Sequence, residues 1–228
     1  MALPKAKYPL TDIFVYSLDK KIPFRPFLVK EERLLESSDE SKEKLLENIS
    51  QCISNCSLGK VDANTLPIFD MQYIWIQLHI LSETDPLQYS IMCNECDELN
   101  TVDIDLNNYR MSLIDGHTNV IKITDDLKLV MRYPTASMLQ EQQKNNMIDF
   151  FDIASLCIEQ VEYNGEMISD ISLEEKESFI DNLTKKEFNK ISLFFATIPV
   201  VENEIVFNCE KCETTNTNMM NGYMAFSE

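Results

Sequence analysis

Glycine is scarce, with four in 228 residues. Neither G-x-x-x-x-G-K-[ST] nor G-x-G-x-x-G occurs, which removes the usual backbone cradle for a nucleotide. Histidine is scarcer, at two. No H-E-x-x-H helix and no G-x-S-x-G elbow is present, so histidine-assisted nucleophilic chemistry has almost no members to draw on. No apolar run approaches the ~20 residues of a membrane-spanning helix. The stretch Met1 to Lys7 is basic but has no apolar run behind it, so no signal peptide is expected. Cysteines kept in a cytoplasm stay reduced or metal-bound rather than disulfide-linked. Positive charge is also short: 20 Lys and Arg against 38 Asp and Glu leave a net charge of −18. Such a surface repels phosphate backbones, and no basic stretch with interleaved aromatics offsets it. These absences predict a protein that is not an enzyme, has no catalytic residues, spans no membrane and binds no nucleic acid.

Cysteine, by contrast, is well represented, at seven. Four of the seven form two C-x-x-C knuckles, Cys93-Asn94-Glu95-Cys96 and Cys209-Glu210-Lys211-Cys212. One tight turn of this kind brings two thiolates to the same metal, and two turns supply the four soft ligands of a closed tetrahedral shell. The expectation is one structural Zn ion held by Cys93, Cys96, Cys209 and Cys212. The flanks fit a ribbon. Tyr89 to Met92 and Ile205 to Phe207 run into the knuckles, and Thr101 to Leu106 leaves the first with period-two alternation. The interval does not fit, because 112 residues separate Cys96 from Cys209, where ribbons have roughly 15–20. A helical segment must be inserted in the ribbon.

The rest of the chain reads as α+β: a helical body with short antiparallel hairpins and a split, zinc-ribbon-like four-cysteine site. Residues 1–228 form one domain in this reading, with a helical core over 30–82 and 135–199 and a ribbon-like part over 86–133 with 200–228. Two short strands precede Lys30, where helix begins. Ser37 and Glu40 have the spacing of a capping box. A helix over about 40–57 carries Leu45, Leu46, Ile49, Cys52, Ile53 and Cys56 on one face. Cys52 and Cys56 read as core members of that stripe rather than ligands, and so does Cys157 in a helix predicted over 146–161. The helix after Pro67 is apolar almost all round and reads as central and buried. It carries His79, whose default is a satisfied or partly exposed histidine. Ser172 with Glu175 and Thr184 with Glu187 open two further helices. The tail carries Met219, Met220, Tyr223, Met224 and Phe226, which need a surface. They pack on their own domain as the strand after the second knuckle, or dock on a partner.

The string Phe24-Arg25-Pro26-Phe27-Leu28-Val29-Lys30-Glu31-Glu32-Arg33-Leu34-Leu35 resembles the baseplate hub assembly proteins of contractile-tailed phages of the T-even type. The resemblance continues through Ile49 to Cys56, Leu66 to Asp70, both cysteine knuckles and the helix ending at Pro199. It implies a late viral protein, an assembly factor, chaperone or hub subunit. Such a protein acts in host cytoplasm during tail assembly, or stays in the virion baseplate, with other hub proteins as partners. Self-association is left open. Phe24, Arg25, Pro26, Phe27 and Lys30 are carried over as a candidate contact segment; an edge strand entering a helix explains them equally well. The alternative function, a zinc-ribbon module associated with nucleic acid or transcription, needs a basic face that the charge does not provide.

Overall fold

The computed structural model describes residues 7–36, 42–82, 87–143 and 149–222. The Ser37–Glu40 box lies outside them, as do Tyr223, Met224 and Phe226. The chain divides into two compact units, Met1–Ser112 with Val200–Glu228, and Leu113–Pro199.

Unit 1 begins with a hairpin of β1 (Thr11–Val15) and β2 (Lys20–Phe24), paired antiparallel with Ile13 opposite Ile22. Each strand turns its alternate residues inward, burying Ile13, Val15, Ile22 and Phe24. The buried Asp70 carboxylate accepts the Tyr16 and Ser17 N–H groups of the connecting turn at 2.8 and 2.9 Å. Helices α1 (Val29–Glu36) and α2 (Lys42–Cys56) follow. The expected stripe of α2 points inward, with Ile49, Cys52, Ile53 and Cys56 buried. The central helix is α3 (Ile68–Ser82), which buries residues on opposite sides. Ile76, with Tyr73 and Ile80, packs in a core with Ile104, Val201, Ile205 and Phe207. Trp75 meets Phe27 and His79 edge-on or tilted, at ring-centroid distances of 5.1 and 4.7 Å. The expected all-round burial of this helix is therefore a consequence of serving strands on one side and helices on the other. Beyond it come β3 (Leu87–Met92) and β4 (Leu99–Ile104), a hairpin with Met92 opposite Leu99, and then the short β5 (Arg110–Ser112).

Unit 2 is an antiparallel four-stranded meander with helices. Its elements are β6 (Val120–Lys122), β7 (Leu127–Met131), α4 (Ala136–Gln143), α5 (Phe150–Cys157), β8 (Ile158–Tyr163), β9 (Glu166–Ile168), α6 (Leu173–Asp181) and α7 (Lys185–Ala196). Its core joins Ile121, Ile123, Leu129 and Met131 of the sheet side to Cys157, Ile180, Ile191 and Phe194. Both expected capping boxes form: Ser172 and Thr184 accept the N–H of Glu175 and Glu187, whose carboxylates bond back.

Two sequence expectations change here. The helix expected over 146–161 stops at Cys157, and the chain continues as β8. Asn164 and Gly165 both have positive φ, the geometry of a tight hairpin turn, and this turn pairs Val161 with Ile168. Pairing of β8 with β7 then satisfies its backbone in place of helical bonds. For the same reason residues 113–133 group with 135–199, not with the cysteine-bearing hairpins: β6 and β7 belong to the sheet of β8 and β9.

The chain returns to unit 1 as β10 (Val200–Asn208) and β11 (Thr215–Asn221). Val200 lies opposite Ser112, so the excursion through unit 2 leaves and re-enters on neighbouring strands. That geometry lets an inserted unit close without disturbing the host sheet. β11 pairs along β10 from Glu202–Asn221 to Asn208–Thr215, so the residues up to Asn221 pack on their own chain as the expected strand.

In unit 2, the His117, Tyr133 and Phe194 rings form a mutually stacked cluster with centroids 5.3 to 5.7 Å apart. Its Nδ1 is 2.9 Å from Thr197 Oγ1 and its Nε2 is 3.0 Å from Tyr133 Oη. The Thr197 hydroxyl already donates to Leu193 O, so it accepts from Nδ1–H, and Nε2 accepts from Tyr133. Burial lowers the His117 pKa from 6.5. The unfolded chain then takes up the proton more readily than the folded one. The stability of this arrangement is present above 6.5 and lost as pH falls towards the lowered folded value. Chemical denaturation from pH 7.5 to pH 5 should show unit 2 weakening, and His117→Phe should flatten that slope. An unchanged slope in the variant would show that other groups cause it.

Candidate metal centre

Hairpins β3–β4 and β10–β11 each end in a C-x-x-C knuckle, and the two knuckles are built alike. In the first, Cys93 N–H donates to Glu98 O at 2.8 Å and Asp97 N–H to Cys93 O at 3.2 Å. In the second, Cys209 N–H donates to Thr214 O and Glu213 N–H to Cys209 O, both at 2.9 Å. Asp97 and Glu213, at equivalent positions, share a left-handed backbone, with φ of 57° and 59°. Each knuckle thus reverses its strand within one turn and points two thiols the same way.

The two turns meet. Cys93 Sγ is 3.7 Å from Cys212 Sγ, and Cys96 Sγ is 3.6 Å from Cys209 Sγ. All four sulfurs lie within 4.8 Å of one another. A tetrahedral ion with metal–sulfur bonds of ≈ 2.3 Å sets its sulfurs about 3.8 Å apart. These separations fit that shell and are far too long for disulfides, whose S–S bonds are about 2.05 Å. The four cysteines brought together are the four expected from the spacing.

Electrostatics distinguish the members. The Glu95 N–H, working against burial and helped by further donors including Asn216, pulls the Cys93 thiol down to about 6. The Cys212 N–H, again against burial, lowers Cys209 in the same way. For Cys96 the Glu98 N–H favours the thiolate, but burial and hydrogen bonds with the three neighbouring sulfurs outweigh it and push the thiol up to about 12. Four thiolates this close repel without a cation, and a bound divalent ion reverses that balance. Cys93 and Cys209 are buried, Cys96 is half-buried and Cys212 is exposed.

Two residues of this centre were absent from the sequence reading. Asn100 and Asn216 are both buried beside the sulfurs. Asn100 Nδ2 donates to Cys209 Sγ at 3.7 Å, and its Oδ1 accepts the Glu210 N–H at 2.9 Å. Asn216 Nδ2 donates to Cys93 Sγ at 3.5 Å, and its Oδ1 accepts the Asn94 N–H at 2.9 Å. The signal was in the chain: both knuckles read C-x-x-C-x-x-x-N. Across the rim, Lys211 pairs with Glu98 at 2.7 Å, an exposed bridge of little energetic weight.

The other cysteines are core, as expected. Burial raises Cys52 and Cys157 to about 12 and Cys56 to about 11. The carried-over N-terminal segment is mostly internal too. Phe24, Arg25 and Phe27 are buried and Pro26 is half-buried, while Lys30 is exposed. Arg25 makes a bidentate pair with the buried Glu31 at 2.8 and 3.0 Å and donates to Pro26 O at 3.0 Å. Its backbone N–H binds Cys56 O. In the C-terminal set, Met219 is exposed and Met220 is buried.

Fold and centre together define an acidic α+β protein in which two hairpins far apart in sequence bring four cysteine thiols close enough to hold a metal ion. The chain belongs to the family described as T4 bacteriophage base plate protein, whose model matches residues 6–226. Membership places it among the structural or assembly proteins of the phage baseplate and fits a location in the virion tail. Neither a curated protein nor a solved structure matches the chain. Among the described residues, no helix is long and apolar enough to cross a membrane.

Proposed function

We propose that this is a non-enzymatic protein of the baseplate hub, acting as an assembly factor or hub subunit. Its work is to hold other hub proteins, and a structural Zn ion clamps its hairpins. The observation that carries this reading is the family match over residues 6–226, which runs through both cysteine knuckles and the inserted unit. Both knuckles thus lie within the residues that the family match covers.

The chemistry of the site supports zinc in a structural role. Four thiolates fill a tetrahedral shell, leaving no position for water or substrate. Bound there, the ion would cross-link two hairpins that share no strand pairing. The surface beside the clamp supports protein contact. Met92 and Leu99 lie opposite each other on β3–β4 and are both exposed, as are Val206 and Met219 on β10–β11. Exposed apolar groups on so acidic a protein suit a protein partner better than a polyanion. Lys30 and Met219 are the exposed members of the candidate contact sets among the described residues, and Pro26 is half-buried.

The test is recovery of the tagged chain from infected cells, compared with the protein content of mature tails. Other hub proteins should co-purify with it at fixed ratio, and metal analysis should return one zinc per chain. Tight binding to DNA or RNA in a low-salt gel shift, with no hub protein recovered, would replace this reading with the nucleic-acid one.

A further inference from the structure

The two asparagines make a crossed pattern. Each lies four residues beyond the second cysteine of its own knuckle, yet each serves the opposite knuckle. Asn100 reaches Cys209 and the Glu210 N–H; Asn216 reaches Cys93 and the Asn94 N–H. The remaining amide hydrogen bond is also repeated. Asn100 Nδ2 donates to Glu98 O at 2.9 Å and Asn216 Nδ2 to Thr214 O at 3.0 Å. These two carbonyls are the ones that close each knuckle by accepting from Cys93 and Cys209. One side chain therefore ties together its own turn, the facing turn and the buried sulfur of the facing turn. The arrangement has local two-fold symmetry.

We propose that Asn100 and Asn216 are reciprocal positioning residues of the metal centre. They hold the two turns face to face and direct an N–H at the buried thiolate of the partner turn, so the four-sulfur cup is assembled before an ion enters. An N–H donated to a thiolate spreads its charge and lowers its nucleophilicity. The lock thereby shields Cys93 and Cys209 and leaves Cys96 and Cys212 as the open rim. Metal then leaves from the rim, and the buried pair releases last. This rests on the zinc reading above for its consequence in the loaded protein. The crossed hydrogen bonds themselves are made between atoms of the chain alone.

The experiment uses the full chain with Asn100→Ala, Asn216→Ala, Asn100→Asp and Asn216→Asp. The aspartates keep an acceptor for the facing turn and lose the donor to sulfur. In the zinc-loaded protein, each variant should transfer metal to a chelator about tenfold faster than the parent. In the reduced, metal-free protein, alkylation mapped by mass spectrometry should be crossed. Loss of Asn100 exposes Cys209, and loss of Asn216 exposes Cys93. Cys52, Cys56 and Cys157, all fully buried, report unfolding. If they label in the alanine variants, the aspartate variants decide. Unchanged transfer rates, labelling that rises on the variant's own knuckle, or uniform labelling of all seven cysteines in both kinds of variant would overturn the lock. A parent chain that takes up no zinc would sink the zinc reading, and crossed labelling would still judge the lock.

Discussion

Cys209→Ser is expected to abolish stoichiometric zinc binding and to destabilise unit 1 to the point of losing its β10–β11 hairpin. Cys209 is the buried thiol of its knuckle, 3.6 Å from Cys96 and bonded by Asn100. A serine hydroxyl is a poor ligand for a soft four-sulfur shell, and three remaining thiolates leave the ion open to water. Binding of a structural zinc contributes on the order of 10 kcal/mol in small metal-folded domains. A large part of the stability of unit 1 should therefore go with it. Hairpin β3–β4 forms its own two-stranded sheet, apart from β10 and β11, so no strand ladder compensates. Thermal unfolding with and without chelator, alongside metal analysis, measures both effects. Chelator should bring the parent down to the variant. Cys157→Ser, in the core of unit 2, should cost stability there and leave zinc content at one per chain. Undiminished metal in Cys209→Ser would mean that the two knuckles do not share an ion. Acid should mimic the mutation, because every ligand thiol must give up a proton to bind, so affinity falls as pH falls.

Arg25→Ala is expected to cost about 3–5 kcal/mol, the range for removing one partner of a buried ion pair. The guanidinium is 2 % exposed and the Glu31 carboxylate 0 %. Alone, Glu31 would keep the Leu28 N–H at 3.0 Å and the exposed Lys30 ammonium at 3.4 Å, too little to replace a bidentate arginine. The double variant Arg25→Met with Glu31→Leu should be less damaging than Arg25→Ala, because it removes the buried charge together with its partner. Burial opposes ionisation of Glu31, but the Arg25 bonds prevail and hold its pKa below 4.5. The stability from this pair is thus present above that value and lost as pH falls through the lower folded one. Urea unfolding of the three proteins at pH 7 tests the prediction. A loss under 1 kcal/mol in Arg25→Ala would show that water reaches Glu31 and relieves it.

The same pair shows what the string Phe24 to Leu35 does within the fold. Phe24, Arg25, Phe27 and Glu31 are buried and make their contacts inside unit 1. A sequence shows that arginine and glutamate lie six apart; it does not show that both are removed from water. Likewise the apolar pattern over 146–161 is compatible with helix throughout. Helix ends at Cys157 because a strand 27 residues or more upstream offers its edge to Glu162 and Gln160, a partner visible only in the fold.

The amino-acid sequence by itself determined the acidic character, the α+β class, the capped helices over Leu173–Asp181 and Lys185–Ala196 and the two C-x-x-C knuckles. Each rests on composition or on residues within a few positions of one another, where spacing dictates geometry. Tertiary structure alone decided that residues 113–199 form a compact unit of their own, that Arg25 and Glu31 meet inside, and that Asn100 and Asn216 cross to the opposite knuckles. Those outcomes depend on pairings between segments up to 123 residues apart. Such pairings are selected by the burial and hydrogen bonding of the whole chain, and no local pattern encodes them.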